Sequence, residues 1–408
     1  VSAGAGSERL GAALARLYAL APGGMKPGLS AMEEACREHG DLASAFPAIH
    51  VAGTNGKGST CAMLEAMARA AGLRVGVTTS PHLARFAERI RVSGEPLEDE
   101  ALAGVLERAL ATRVPLTFFE AAMVAAFLAF RDAEVDLAIV EVGLGGRLDA
   151  TNVIPRPIAS ALVSVGLDHM AFLGDTLQRI AWDKAHVAKP GRPFVIGPDL
   201  APEARAAALE VATARGARVV DAADVPPPPA HALALRGAHQ VQNARVAVAL
   251  AREAGIAEAA IDAGLRAAVW PGRFERLRTP AGPVLLDGAH NEAGMEALVR
   301  ALDSEGLSPA ATVFGAMADK AWDRTLGALA PVSGARVYVE PAGRKAVPCS
   351  DLAAAFPGEY APSIPEALAA ARRLAGPEGL VLVTGSLYLV GEARATLLGL
   401  PRDPPIAL

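Results

Sequence analysis

Three glycines around one lysine set the chemistry this chain can attempt. Gly53, Gly56 and Gly58 flank Lys57 within HVAGTNGKGST (50–60), and the hydroxyls of Ser59 and Thr60 follow directly. Glycines tolerate positive φ and carry no Cβ, so their backbone can approach a polyphosphate with its N–H groups turned inward. Lys57 adds a mobile positive charge. The pattern is a variant of GxxxxGK[ST]: Val51 stands where the first glycine would be, and Gly58 separates Lys57 from the hydroxyls. An ordinary glycine turn before a helix is the plainer alternative. The lysine and the two hydroxyls favour a nucleotide.

Phosphate chemistry asks for a divalent cation. Mg²⁺ prefers oxygen ligands and commonly bridges a carboxylate to substrate phosphates, which suits Glu141 with the hydroxyls of Ser80 and Ser59. A glutamate at a strand end is more often simply solvated, but nearness to a phosphate loop reverses that expectation. His169 offers a nitrogen ligand nearby, and is equally readable as a residue that holds a turn.

These residues need a scaffold that brings them together. Apolar residues run into Gly53 and a helical pattern follows from Cys61 to Ala71, giving a strand, a loop and a helix. A second strand from about Arg74 ends in the polar turn Thr78–His82. An apolar helix from Thr117 carries Glu120 in its first turn, and a buried strand, Leu137 to Val142, runs into the glycine-rich GLGGRLDATN. Another strand, Ala159 to Val165, leads to GLDHMAFLGDT and to a helix from about Asp175 that carries Lys184. Alternating helices and strands build a three-layer α/β domain, and parallel sheets bind ligands at the carboxyl ends of their strands. The turns holding Gly53, Ser80, Glu141 and His169 should therefore converge. Before them, the segment to about Ala48 reads as helical, broken by APGGMKPGLS (21–30), whose Met25, Lys26 and Leu29 suit either a ligand lid or a helix connector.

The run VPPPP (225–229) marks a loop or subdomain edge, and a helix from about Ala238 contains HQVQNA. A linker near Leu277 to Pro283 is expected to separate two domains, 1–278 and 284–408. The second is a smaller, Rossmann-like α/β domain with strands near Val284, Ala311–Phe314, Arg336–Val339 and Leu380–Val383. No internal repeat is evident.

Composition narrows the class of partner. With 52% apolar residues among 408, each domain has ample core. The formal net charge is −5 and no basic block stands out, so nucleic acid has no electrostatic support as a partner. No apolar run is long enough to span a bilayer, and the first twenty residues show no clear cleavage pattern, so a cytoplasmic location is expected. Cys36, Cys61 and Cys349 are too scattered for a disulfide framework or a zinc site and read as small core residues. Among 39 basic residues only six are lysines, at positions 26, 57, 184, 189, 320 and 345, which makes each a somewhat better candidate for lysine chemistry, although the base composition of the gene also accounts for an excess of arginine.

The chain resembles the folylpolyglutamate synthases and dihydrofolate synthases of the Mur ligase superfamily. The matching stretches are GTNGKGST (53–60), TSPHL (79–83), FFEAAMVAAF (118–127), EVGLGGRLDATN (141–152), GLDHMAFLGDTL (166–177), DKAHVAKPGRP (183–193), WPGRFE (270–275), DGAHN (287–291) and VTGSLYLVGE (383–392), in the family's order. GLGGRLDATN is specific to this branch rather than to the wall-peptide ligases.

The resemblance implies an ATP-dependent ligase that joins the amino group of glutamate to a folate carboxylate through an acyl phosphate. By similarity Asn55, Gly56, Lys57, Gly58, Ser59 and Thr60 hold ATP, with Asn243 on the adenine, Arg273 on the phosphates and Asp287 on the ribose. Ser80 and Glu141 would bind one Mg²⁺ and His169 a second. Lys184 matches the family's modified-lysine segment, which implies an N6-carboxylated (carbamylated) side chain, although a solvated helix lysine is the commoner case. His290 and Ser386 would serve the incoming glutamate. Thr117, Phe118, Leu148, Asp149 and Ala150 would contact the pterin, under the 25–30 loop. Arg273 and Asp287 flank the expected linker and should meet ATP from opposite domains.

One departure is Glu292, which follows DGAHN where the family usually has proline, and a helix N-terminus favours its charge. The expected partners are small molecules only, namely ATP, L-glutamate and a pteroate or folate, with the chain acting as a monomer. The resemblance implies both dihydrofolate and folylpolyglutamate synthesis, with folylpolyglutamate synthesis alone as the alternative. A wall-peptide Mur ligase would need a sugar-nucleotide domain, and the roughly 45 residues before the phosphate loop read as too few for one. A phosphate-loop regulatory switch would need no second domain carrying DGAHN.

Overall fold

The computed structural model describes residues 3–23, 28–342 and 345–403. Met25 and Lys26 of the expected lid lie outside the described residues, while Leu29 precedes the helix Ser30–Glu38. Contacts divide the chain into two units. One comprises the residues up to Pro81 with Phe86–Ala234 and Gln240–Val269; the other comprises His82–Arg85, Leu235–His239 and everything from Trp270 onward.

In the first unit the described residues form an eight-stranded sheet from β1 (Ala48–Ala52), β2 (Val75–Thr78), β3 (Ile90–Val92), β4 (Glu95–Pro96), β5 (Leu137–Glu141), β6 (Ala159–Leu162), β7 (Pro193–Ile196) and β8 (Arg218–Asp221). Their order is β4-β3-β2-β5-β1-β6-β7-β8, and only β3 and β4 run antiparallel to their neighbours. Every residue of β1, β2, β5 and β6 is buried, which is why these strands read as short apolar runs rather than as alternating ones. The register places β1 between β5 and β6, pairing His50 with Val140 on one side and with Ser160 on the other. Their carboxyl ends therefore lie side by side. Against one face pack Ala185, Val187, Ala208 and Val211, which meet Ala52, Val142, Leu162 and Ile196.

The helix Phe118–Asp132 begins where its sequence says it should. Thr117 Oγ1 accepts from the Glu120 backbone N–H while the Glu120 carboxylate accepts from the Thr117 N–H, a capping box that satisfies two otherwise orphaned donors. Its Phe130 ring lies against β2, where a Cβ on Gly76 would fall 2.5 Å from the ring, so only glycine fits that strand position.

The second unit holds β9 (Glu275–Thr279), β10 (Gly282–Leu286), β11 (Ala311–Phe314), β12 (Ala335–Tyr338), β13 (Glu359–Tyr360) and β14 (Val381–Thr384), in the order β13-β12-β11-β14-β10-β9. All pair in parallel except β9 with β10. Buried side chains cover both faces of this sheet, Leu285, Phe314 and Tyr338 on one and Val284, Val313 and Val383 on the other. The stretch expected as a linker, Leu277 to Pro283, is instead most of this antiparallel hairpin. Alternating exposure along Glu275–Thr279 gives an edge strand little apolar signal, so it looked like a connection. Arg273 and Asp287 consequently fall in the same unit and not, as expected, on opposite domains. Among the described residues no helix is long and apolar enough to cross a membrane.

Thr117→Ala should cost about 1 kcal/mol of stability through loss of the cap, and Thr117→Ser should cost much less. Urea denaturation of the three proteins, followed by helical circular dichroism, checks both values.

Candidate active site

The phosphate loop leaves β1 and is braced from β6. Thr54 N–H donates to the Ser164 carbonyl (2.9 Å), Asn55 N–H to Ser164 Oγ (2.9 Å), and Ser164 Oγ donates back to the Asn55 carbonyl (2.8 Å). Gly56, at φ +80°, caps the helix Lys57–Ala70 in a left-handed conformation that a side chain would strain. A Cβ there would also fall 2.2 Å from Asn243 Oδ1. The adenine candidate Asn243 is thus seated on the tip of the loop. Gln240, one helical turn earlier on the same face, accepts from Asn243 Nδ2 (2.9 Å) and donates to Ser59 Oγ (3.2 Å). Ser59 and Thr60 are buried. Gln240 and Ser164 were not singled out in the sequence. The i, i+3 spacing of Gln240 and Asn243 within HQVQNA was the available signal for the first; nothing local marked the second.

Two amines share one carbonyl at the loop's base. Lys57 Nζ donates to Gly53 O at 3.1 Å and to Thr54 O at 3.2 Å, and Lys184 Nζ reaches Gly53 O at 3.2 Å from the helix Leu177–Ala185. Two ammonium groups on one oxygen repel, and Lys184 is the buried one, only 4% exposed. Burial, reinforced by the Lys57 charge, pushes the Lys184 amine down to about 7. Opposite them stands Glu141, at the carboxyl end of β5. Its Oε2 accepts from the Ser80 N–H (3.0 Å), and its Oε1 lies 3.9 Å from Lys57 Nζ. The strand ends carrying Gly53, Ser80 and Glu141 converge as the parallel sheet requires.

His169 sits at the start of the short helical turn Met170–Leu173, in a left-handed conformation (φ 51°), with its N–H on Asp168 Oδ1 (2.8 Å) and its ring Nε2 3.9 Å from the same oxygen. Its side chain is one-third exposed. Among the described residues no three His, Cys, Asp or Glu side chains cluster, and of the three expected metal ligands Ser80 and Glu141 are joined by a hydrogen bond while His169 contacts Asp168.

The GLGGRLDATN loop is held from inside. Asp149 is buried, and its carboxylate accepts from Leu144 N–H (2.8 Å), Thr151 N–H (3.0 Å) and the Thr151 hydroxyl. Burial pushes its carboxyl up, opposed by those donors. Because Thr151 spends its proton on Asp149, the contact between Thr151 Oγ1 and His50 Nε2 (2.7 Å) must be donated by the imidazole. Burial, with the Lys189 charge adding to it, pushes His50 down to about 3, so the ring is neutral. Leu148 is exposed and Ala150 is buried. Phe118 lies in an aromatic group, edge-on to Phe86 with centroids 6.2 Å apart and with the Arg89 guanidinium 5.4 Å from its own centroid.

In the second unit Asp287 is likewise engaged, accepting from Phe274 N–H and Ala289 N–H, both at 2.9 Å. Arg273 donates to the Gly272 carbonyl (3.1 Å) and packs so closely on Gly288 that a Cβ there would fall 2.1 Å from Nη1. His290 Nδ1 donates to the Gly288 carbonyl (2.8 Å). Ser386 is buried and caps the helix Leu387–Leu398 through Tyr388 N–H, and Asn291 caps Glu292–Ser304, where Glu292 stands 3.7 Å from Arg324. Asp287, Arg273 and His290 therefore meet around one turn, DGAHN.

Gly56→Ala should lose nucleotide affinity by about tenfold or more, since the new Cβ is strained by φ and collides with Asn243. Titration calorimetry with ADP measures the loss, and unchanged circular dichroism separates it from misfolding.

Two family descriptions match the chain, Mur ligase middle domain over residues 51–197 and Mur ligase, glutamate ligase domain, over residues 272–387. The dihydrofolate synthase/folylpolyglutamate synthase of Bacillus subtilis is 33% identical over 414 residues, covering 92% of this chain and 96% of the relative. A probable bifunctional folylpolyglutamate synthase/dihydropteroate synthase of Haloferax volcanii is 38% identical over 91% of this chain, and the chain spans about half (48%) of that relative's length. A solved bifunctional folylpolyglutamate synthase/dihydrofolate synthase with Mn, AMPPNP and L-glutamate bound has a TM-score of 0.81 and 31% identity, covering 92% of this chain and 95% of that one. With both units matched and nearly the whole of the bacterial relative covered, the chain belongs to the folylpolyglutamate synthase/dihydrofolate synthase family of Mur ligases.

Proposed function

We propose that the chain is an ATP-dependent ligase that joins the amino group of L-glutamate to the carboxylate of dihydropteroate and of (tetrahydro)folate, through an acyl phosphate. The observation that carries this reading is the pairing of Lys57 and Lys184 on the Gly53 carbonyl, facing Glu141 and Ser80 across the ends of parallel strands. The bacterial relative's name and the solved neighbour's bound AMPPNP, Mn and L-glutamate support it.

A carboxylate resists attack by an amine until one of its oxygens becomes a leaving group. In the proposed sequence the substrate carboxylate attacks the γ-phosphorus of ATP and ADP departs. The glutamate nitrogen then attacks the acyl carbon, phosphate leaves, and the nitrogen gives up its proton. Lys57 and the glycine N–H groups hold the β- and γ-phosphates, so the charge of the transferring group meets fixed donors. Asn243, seated on Gly56, would read the adenine, and Arg273 and Asp287 would meet the phosphates and ribose. His290 and Ser386 are assigned to the incoming glutamate. Thr117, Phe118 and Leu148 to Ala150 are assigned to the pteridine, with Asp149 acting through the backbone shape it imposes on its loop.

Mg²⁺ is assigned to two sites. Glu141 with Ser80 would hold one ion and His169 would serve the second, with phosphate oxygens and water completing both shells. When bound, the cations offset charge on the transferring phosphoryl group. A single carboxylate is few for two cations, and a carbamate on Lys184 would supply the missing oxygens. Carbon dioxide adds to a neutral amine, forming the N–C bond and releasing one proton. The product keeps one N–H for the Gly53 carbonyl.

Purified protein with ATP, Mg²⁺ and L-glutamate should release phosphate with either dihydropteroate or tetrahydrofolate, assayed separately. Turnover with only one would refute the double activity, and turnover with neither would refute the ligase. Lys184→Ala should lose about 100-fold or more in kcat while still binding ATP. The amine is protonated below about pH 7 and neutral above it. After bicarbonate-free dialysis, reactivation at fixed dissolved CO2 should therefore rise as pH passes upward through that value; a pH-independent reactivation would count against the carbamate.

A further inference from the structure

The turn that follows Glu141 folds back onto the helix that carries Lys184. Asp183 Oδ1 accepts from Gly146 N–H (2.9 Å), and the Asp183 carbonyl accepts from Arg147 N–H (3.1 Å). Backbone lies directly on backbone here. A Cβ on Gly146 would fall 2.5 Å from the Lys184 carbonyl oxygen and 2.8 Å from its Cα, and one on Gly145 would fall 2.5 Å from Asp183 Oδ1. Asn152 fixes the far side of the same turn, donating to the carbonyls of Arg147 (3.1 Å) and His186 (3.3 Å). The Arg147 guanidinium, 3.6 Å from Asp183 Oδ2 on a side chain 44% exposed, forms a rim pair of the kind that contributes little. The hydrogen bonds, and not the ion pair, make the attachment.

We propose that Asp183 is a positioning residue for Lys184. Its carboxylate and carbonyl pin the Gly146–Arg147 turn across the helix backbone at Lys184, which closes that side chain off from water and holds its amine on the Gly53 carbonyl. One end of the GLGGRLDATN loop is anchored by Glu141 beside the phosphate loop. Asp183 anchors its middle to the helix that reaches the same loop from the other side. The functional consequence rests on the reading of Lys184 given above; the pin itself does not.

Asp183→Ala removes the side-chain acceptor, whereas Asp183→Asn keeps an oxygen for Gly146 and drops the charge facing Arg147. In Asp183→Ala, exchange of the Gly146 amide and acetylation of Lys184 by a small reagent, read by mass spectrometry, should each quicken about tenfold. kcat should fall by about tenfold with KM for ATP within about twofold, the split expected when a group acting in the transition state is displaced. Asp183→Asn should keep the Gly146 amide and Lys184 protected. Gly146→Ala, which forces the turn off Lys184 while leaving Asp183 intact, should expose Lys184 as Asp183→Ala does, and covers the case in which that variant misfolds. Wild-type protection of Lys184 in Asp183→Ala or Gly146→Ala overturns the proposal, and so does equal exposure in Asp183→Asn and Asp183→Ala. A ¹³C-bicarbonate carbamate signal separates the two readings. Exposure of Lys184 on substitution, with no carbamate in any variant, sustains the pin and removes the carbamate. Equal carbamate and equal protection throughout do the reverse.

Discussion

Two lysine amines directed at one backbone carbonyl constrain everything around the candidate site. Lys57 and Lys184 both donate to Gly53 O, one from within the phosphate loop and one from a distant helix. Two full positive charges so placed would be costly where Lys184 is almost completely desolvated, and the amine that gives way is the buried one, pushed down to about 7. Glu141, 3.9 Å from Lys57, supplies the opposite charge. The two amines and the Glu141 carboxylate come together because the carboxyl ends of β1 and β5 lie side by side.

Buried carboxylates and amides around the site shape backbone as much as they face a ligand. Asp149 bonds within its own loop, Asn152 ties that loop to His186, and His50 enters from the strand below through Thr151. Each satisfies a polar group that burial would otherwise penalise. The GLGGRLDATN loop is therefore a fixed ledge, and its glycines are explained by approach: Gly145 and Gly146 leave room for Asp183 and for the Lys184 backbone. The second unit repeats the device. Asp287 collects two backbone N–H groups, which fixes the turn that carries His290 and leads to the helix capped by Asn291.

Much of this was legible in the chain. The short apolar strands, the helix start at Thr117 with Glu120 in its first turn and the phosphate loop are local, because propensity and glycine chemistry act over a few residues. Order along a parallel sheet is not local. The turns bearing Gly53, Ser80, Glu141 and His169 were expected to converge; the first three meet, since the topology of alternating β and α elements leaves few alternatives, while His169 contacts Asp168. The hairpin β9–β10 escaped because an edge strand with alternating exposure carries a weak apolar pattern, and with it went the assignment of Arg273 to a separate domain.

The sequence by itself determined the family, the two α/β units and the residue types available for phosphate and metal chemistry, because those follow from motifs whose residues lie close together in the chain. Tertiary structure decided the individual side-chain contacts. Ser164 braces Asn55 from 109 residues away, Gln240 reaches Ser59 across 181, and Lys184 reaches Gly53 across 131. No spacing rule encodes such contacts. It also decided the burial of Lys184 on which the proposed chemistry turns, since a lysine's pKa is set by the water excluded around it, and that exclusion exists only in the folded chain.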